Sequence, residues 1–331
     1  MAEMPEPPDR NLALDLARVT EAAAMAAARW QGRGNGTAVD QAAVDAMRSI
    51  LATIDMDGIV VIGEGEKDAA PMLYNGERIG NGNPPRVDVA VDPVDGTRLT
   101  AEGMPGAIAV LALAERDTMY APGSLVYMDK IAVGEEAAGS IDLEASVSHN
   151  LHQVAKAKNK DLSDLTVIIL NRPRNQPHIE AARQAGARIR LIGDGDISAA
   201  ISTAVPDTAI DILLGIGGSP EAVTAACALA SLGGEIQCRL WPRDDSERDY
   251  AREMGLDLDQ VLGTQDLVDS DDVFFAATGV TDGELLDGVR YFGDGAQTHT
   301  VVMRSKTGTV RFITARHRLD KLGEVAGLRY E

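Results

Sequence analysis

The apolar alternation Val87-Asp88-Val89-Ala90-Val91 ends abruptly in Asp92-Pro93-Val94-Asp95-Gly96-Thr97. A period of two predicts a strand there. Pro93 fixes φ and Gly96 permits a tight turn, so the strand end is forced into a compact polar corner. Two carboxylates and a hydroxyl at a sheet edge suit a hard divalent cation. Asp92 and Asp95 would converge on oxygen-ligated metal of the Mg²⁺ kind while Thr97 faces a bound water. The competing reading is an acidic turn, because Asp, Pro and Gly are ordinary turn residues.

The same design recurs upstream. Ile59-Val60-Val61-Ile62 runs into Gly63-Glu64-Gly65-Glu66. Alone this reads as a solvated loop, but two strand ends built alike favour a site. Asp40 stands before a segment with Ala43, Val44 and Met47 at helical spacing. An N-cap role is open to it and does not exclude a site role. Later, Ile210-Asp211-Ile212-Leu213-Leu214 predicts a strand and Gly215-Ile216-Gly217-Gly218 a glycine loop. Ser219 is then an N-cap, Pro220 the first helical residue and Glu221 a first-turn acid. Those roles account for Glu221 unaided. The loop and helix start would also cradle a phosphate, although the spacing fits no nucleotide fingerprint.

Helices and strands alternate along the chain, which gives an α/β fold class. Helices are expected at 12–30 and 43–54 and a further strand at 110–114. In the first helix Asp15, Arg18 and Glu21 interrupt the apolar face. A polar stretch at about 150–165 closes the first part. Strands then fall at 165–170, 188–193 and 210–214, with helices at 178–185, 197–204 and 220–232. Near the end, 301–304 and 310–313 flank Lys306-Thr307-Gly308 as a hairpin. The division expected is a disordered lead-in at 1–10, a metal-site-rich α/β domain at 11–163 and a substrate domain at 164–331.

Taken together, the glutamate loop, Ala70-Pro71-Met72-Leu73-Tyr74, Asp92-Pro93-Val94-Asp95-Gly96-Thr97-Arg98, Asp194-Gly195-Asp196 and Gly215-Ile216-Gly217-Gly218-Ser219-Pro220-Glu221 resemble class II fructose-1,6-bisphosphatase of the GlpX type. That class lies within the lithium-sensitive, inositol-monophosphatase-like phosphatases. The resemblance covers about residues 11–319, and 277–283 with 298–305 look most like actinobacterial members. It implies a layered αβαβα sandwich. It implies that Asp40 and Glu64 hold one divalent metal, Mg²⁺ or Mn²⁺, and that Asp92, Asp95 and Glu221 hold a second. Thr97, with Asp40 and Glu64, would serve the attacking water, and Asp95, Gly96 and Thr97 would meet the scissile phosphate. Tyr127 would contact the sugar phosphate. Arg172, Pro173 and Arg174 would hold the phosphate that is not cleaved. Asp194, Gly195 and Asp196 would face the sugar hydroxyls, with Gly218 against the substrate. Relatives commonly carry Asp-Lys where this chain has Asn35-Gly36, which removes a lysine near the first metal site. Some also carry glutamate at Asp95.

The residue types fit that chemistry. Phosphate monoester hydrolysis needs up to ~10²¹-fold acceleration, supplied mainly by positioning and charge stabilisation. Two metals about 3.5–4 Å apart can activate a water and stabilise the leaving oxygen. Planar guanidinium groups give the second phosphate bidentate contacts. Without the resemblance, Arg172 and Arg174 read equally as a solvated loop, and Asp194 and Asp196 as a turn. The expected reaction is loss of the 1-phosphate of fructose 1,6-bisphosphate in gluconeogenesis. Sedoheptulose 1,7-bisphosphate, an inositol or nucleotide phosphate, or a non-catalytic sugar-phosphate-binding regulator are the alternatives.

A net charge of −20 argues against nucleic acid as a partner. Inside a cleft, local cations outweigh that total. No apolar stretch is long enough to span a membrane, and the start lacks signal-peptide features. Cys227 and Cys238 read as reduced thiols of a cytoplasmic protein. His149 and His152 lack a third zinc ligand. A homo-oligomer, dimer or tetramer, is expected. Aromatics make up only 4% of the chain, so aliphatic residues must build its core.

Overall fold

The computed structural model describes residues 11–64, 73–206 and 208–326, with side chains to residue 322. The lead-in at 1–10 lies outside the described residues, as do Gly65, Glu66, Ala70, Pro71 and Met72. The strands are β1 (Asp57–Ile62), β2 (Arg78–Ile79), β3 (Arg86–Asp95), β4 (Ile108–Glu115), β5 (Tyr127–Val133), β6 (Thr166–Leu170), β7 (Arg188–Ile192), β8 (Ile212–Gly218), β9 (Glu235–Leu240), β10 (Phe274–Gly279), β11 (Arg290–Phe292), β12 (Gly295–Arg304) and β13 (Thr309–Arg318). The helices are α1 (Ala13–Ala28), α2 (Gly36–Leu51), α3 (Thr97–Glu102), α4 (Val147–Ala157), α5 (Gln176–Ala185), α6 (Asp196–Ser202), α7 (Ser219–Leu232), α8 (Asp245–Met254), α9 (Thr264–Leu267) and α10 (Leu319–Ala326).

Two mixed sheets result. The first runs β11-β12-β10-β4-β3-β1-β2, with β13 paired to β12 along its length. The second runs β7-β6-β8-β5-β9. Helices α1 and α2 cover one face of the first sheet, and α6 and α7 lie between the sheets. Helices α4 and α5 cover the far face of the second. This is the αβαβα sandwich expected.

Period-two alternation builds these layers. Ala109, Leu111 and Leu113 of β4 face α1 and α2, while Val110, Ala112 and Ala114 face the middle layer. Strands covered on both faces read as continuous apolar runs. Helix α7 is buried nearly all round, through Ala222, Val223, Ala225, Ala226, Cys227, Ala228 and Leu229. A helix apolar on every side belongs inside a molecule, and its alanines let two sheets approach it closely.

Sheet membership cuts across residue 163/164. Strand β5 joins the second sheet, and β10 to β13 return to the first. The tail hairpin forms as expected, around the turn Ser305–Thr307. Several local expectations change. The polar stretch after 150 is largely α4, capped by Ser146 and burying Leu151 and Val154. Asn35, not Asp40, caps α2, accepting from the Ala38 N–H at 3.1 Å. The cap of α7 is Gly218, one residue before Ser219. The glycine loop is no loop: residues 212–218 pair with β5 throughout.

Candidate active site

The site gathers where β1 and β3 end beside α6, α7 and the close of β8. Strand β3 delivers Asp92 and Asp95. Pairing with β4 shifts register between them, where Pro93 has no N–H to give. The Asp92 carboxylate accepts the Val94 N–H at 3.0 Å, which fixes the corner. Gly96 sits at φ +97°, a left-handed conformation that other residues resist, and it turns the chain into α3. Thr97 opens that helix. Its hydroxyl lies 2.5 Å from Asp40 Oδ1 and 3.2 Å from the Val94 carbonyl. Asp40 therefore projects from inside α2 onto Thr97. A side chain at Gly36 would press on the Thr97 methyl at 3.3 Å, so the glycine leaves room there.

Glu64 follows β1, and Glu221 lies in the first turn of α7. Burial raises the Glu64 carboxyl to about 7, helped by the charges of Asp40 and Glu221. Glu221 also rises to about 7, through burial and then Asp196. Asp92 and Asp95 are pushed well up by burial and by the neighbouring carboxylates. Asp40 moves up through burial, against its bond to Thr97. Like charges this close cannot all stay ionised without a cation.

Among the described residues no three such side chains are drawn tightly enough to enclose an ion as they stand. The donor set nevertheless fits a hard cation. Glu64 Oε2, Asp95 Oδ2 and Glu221 Oε2 are buried and have no hydrogen-bond partner among the described residues. Buried polar atoms are normally satisfied, and three acceptor oxygens without donors invite an oxygen-seeking ion.

Glu221 also lines a cavity of about 270 Å³, together with Tyr127, Arg172, Arg174, Asp194, Asp196 and Gly218. Arg172 and Arg174 flank Pro173 in the tight turn after β6. Arg174 donates Nε to the Ile216 carbonyl at 3.0 Å and stacks 4.1 Å over the Tyr127 ring. Arg172 stands 3.9 Å from Asp194. Gly195 adopts φ +83° and Asp196 begins α6, so these two are more than a turn. A larger cleft of about 480 Å³ on the other side of Gly193 and Gly195 is mostly apolar and lacks the metal-type carboxylates.

All the expected site residues thus belong to one region. Two neighbours had no signal strong enough to single them out. Asn175 is fully buried and ties the arginine turn to β8 through the Leu170 carbonyl and both backbone groups of Ile216. Lys130, 3% exposed, reaches Asp196 and Gly218. Its trace in the sequence is a lone lysine in Ile131-Ala132-Val133's own strand. Gly215 and Gly217 mark a further departure. A Cβ at Gly215 would strike Asn175, and one at Gly217 would collide with Asp196. These glycines clear space for polar side chains rather than for a phosphate.

Residues 10–317 match the family model described as bacterial fructose-1,6-bisphosphatase, glpX-encoded. The chain is 43% identical to a Haemophilus influenzae protein named fructose-1,6-bisphosphatase class 2, over 97% of this chain and 100% of that one. It is 44% identical to fructose-1,6-bisphosphatase 1 class 2 of Escherichia coli, over 94% and 96% respectively. With near-complete coverage by a family of metal-dependent phosphatases, the chain belongs to the glpX-encoded bacterial fructose-1,6-bisphosphatases.

Proposed function

We propose that this enzyme hydrolyses the 1-phosphate of fructose 1,6-bisphosphate, releasing fructose 6-phosphate and phosphate in gluconeogenesis. The observation that carries it is a set of orphaned buried carboxylate oxygens, one of which, on Glu221, belongs to a residue that also lines the arginine-bearing cavity. One end suits metal-assisted cleavage and the other a second phosphate. Asp40, Glu64, Asp92, Asp95 and Glu221 would hold Mg²⁺ or Mn²⁺, which supplies Lewis-acid charge to the phosphoryl oxygens.

The chain's own residues do the rest. Arg172 and Arg174 hold the 6-phosphate, with Arg174 kept in place by Ile216 and Tyr127. Asp194 and Asp196 accept from sugar hydroxyls. Thr97 orients the attacking water through its oxygen, because its proton is directed to Asp40. As the water oxygen bonds phosphorus, its proton passes by way of Thr97 to Asp40. Asp40 is placed to take that proton, its Oδ1 lying 2.5 Å from the Thr97 hydroxyl. The P–O1 bond breaks, and the departing sugar oxygen gains a proton from solvent.

No helix among the described residues is long and apolar enough to cross a membrane. We place the enzyme in the cytoplasm, where the buried thiols Cys227 and Cys238 stay reduced. We also propose a homo-oligomer, for which the exposed Phe292 and Phe312 offer apolar contact.

The test is phosphate release from fructose 1,6-bisphosphate with Mg²⁺, with Mn²⁺ and with chelator, beside sedoheptulose 1,7-bisphosphate and inositol 1-phosphate. Metal-dependent release favouring the fructose ester is expected. Preference for another ester would change the substrate, and silence on all three would refute a phosphatase.

A further inference from the structure

We propose that Lys130 is a positioning residue that keeps the sugar half of the site assembled without any metal. This rests on the functional reading above and deepens it. The Lys130 ammonium lies 2.5 Å from Asp196 Oδ2 and donates to the Gly218 carbonyl at 2.9 Å. It starts from β5 and touches both the first residue of α6 and the last residue of β8. One cation therefore fixes two separate walls of the cavity.

Its isolation gives it that role. Among the described residues, the basic side chains in the core are Lys130 and Arg304. Arg304 is engaged elsewhere, bound twice to Asp272 at 2.7 and 2.6 Å. Lys130 is thus the basic group buried amid the site carboxylates. A buried ion pair persists when both partners are well hydrogen-bonded, and here the Gly218 carbonyl gives the ammonium a second acceptor. Gly217 backs the pair: a Cβ there would strike Asp196 Oδ2 and stand 2.7 Å from Lys130 Cε.

The cleavage side is built differently. Glu64 Oε2, Asp95 Oδ2 and Glu221 Oε2 receive no hydrogen bond from the described residues. The protein supplies its own cation beneath the sugar and leaves the other to an ion. A preformed sugar subsite follows, with Asp196 held in its accepting position before metal arrives.

Fructose 6-phosphate binding, measured by calorimetry with chelator and again with Mg²⁺, tests this. The wild type should bind the sugar phosphate in chelator. Lys130→Met should weaken that binding by about tenfold or more, as loss of a charged hydrogen bond implies, and raise KM for the bisphosphate more than it lowers kcat. Gly217→Ala keeps every charge and should weaken binding in the same direction, which covers the case in which Lys130→Met does not fold. Thermal unfolding identifies folded variants. Unchanged affinity and KM in both folded variants would leave Lys130 a purely structural charge and overturn the proposal. Wild-type binding that requires Mg²⁺ would overturn the preformed subsite. A wild type that binds no fructose 6-phosphate under either condition and releases no phosphate from the bisphosphate would overturn the functional reading, and this one with it.

Discussion

Thr97 and Asp40 come from different elements yet meet at 2.5 Å, and the single hydroxyl proton is what links them. Replacing Thr97 with Ala removes the group that orients the water in the transition state. The expected cost is about 10²-fold in kcat, with KM nearly unchanged. Steady-state kinetics decide this, and an effect confined to KM would remove Thr97 from the chemistry. Asp92 makes a different kind of contribution. It is one of several like charges under burial, so Asp92→Asn removes repulsion while its amide oxygen can still accept the Val94 N–H. In chelator the variant should unfold at the same temperature as wild type or higher, although turnover is almost lost. A lowered melting temperature in chelator would show that Asp92 is chiefly structural. Asp92, Asp95 and Thr97 were legible because their arrangement is local: six successive residues set the corner. Lys130 was not, because its partner Asp196 lies 66 residues away.

At the level of elements, periodicity located most strands and helices, and chemistry at their ends was harder to assign. Residues 215–218 looked like a loop because glycine is poor strand material. They pair as a strand because facing polar groups need the volume a Cβ would fill. Asp40 looked like a cap because the helical spacing of Ala43, Val44 and Met47 begins just after it, but Asn35 has the capping geometry five residues earlier. Helix α1 shows a related limit. Glu21 was read as breaking an apolar face, yet it is itself buried against β12, where Thr298 Oγ1 lies 3.5 Å from it. Burial raises its carboxyl from 4.5 to about 7, against the pull of Thr298, Thr300 and Arg18. The folded state therefore holds this proton more tightly than the unfolded chain. Its stabilisation is complete below about pH 4.5 and is lost as pH rises through about 7. His317, 2.8 Å from the Thr298 hydroxyl, is pushed down by burial and acts in the opposite sense as pH falls. With Mg²⁺ saturating, Glu21→Gln should flatten the fall in melting temperature between about pH 5 and 7. A variant with the wild-type slope would assign the pH dependence to other groups.

For the whole molecule, the decisive feature is that the chain leaves the first sheet after β4 and returns to it at β10. Nothing in local periodicity marks that return, which is why a simple division at 163/164 suggested itself. The long-range pairing of β10 with β4 depends on burial across the sheet, not on any neighbouring residue. The site inherits this topology: Asp40, Glu64, Asp92 and Asp95 come from the first sheet and its helices, whereas Glu221 comes from α7 between the sheets. An ion shared by these groups would join the first layers to the middle one and bind only the folded chain. Mass action then sets its effect on stability, about 2.7 kcal/mol at a hundredfold excess over Kd. For a protein of this size that corresponds to a rise of a few degrees in melting temperature. Mg²⁺ should produce the rise and chelator should reverse it. Glu221→Gln should shrink the response, because α7 then contributes one ligand charge fewer. An undiminished response in Glu221→Gln would mean that the ion is held by the first sheet and α2 alone, and that α7 approaches the site for packing rather than for metal.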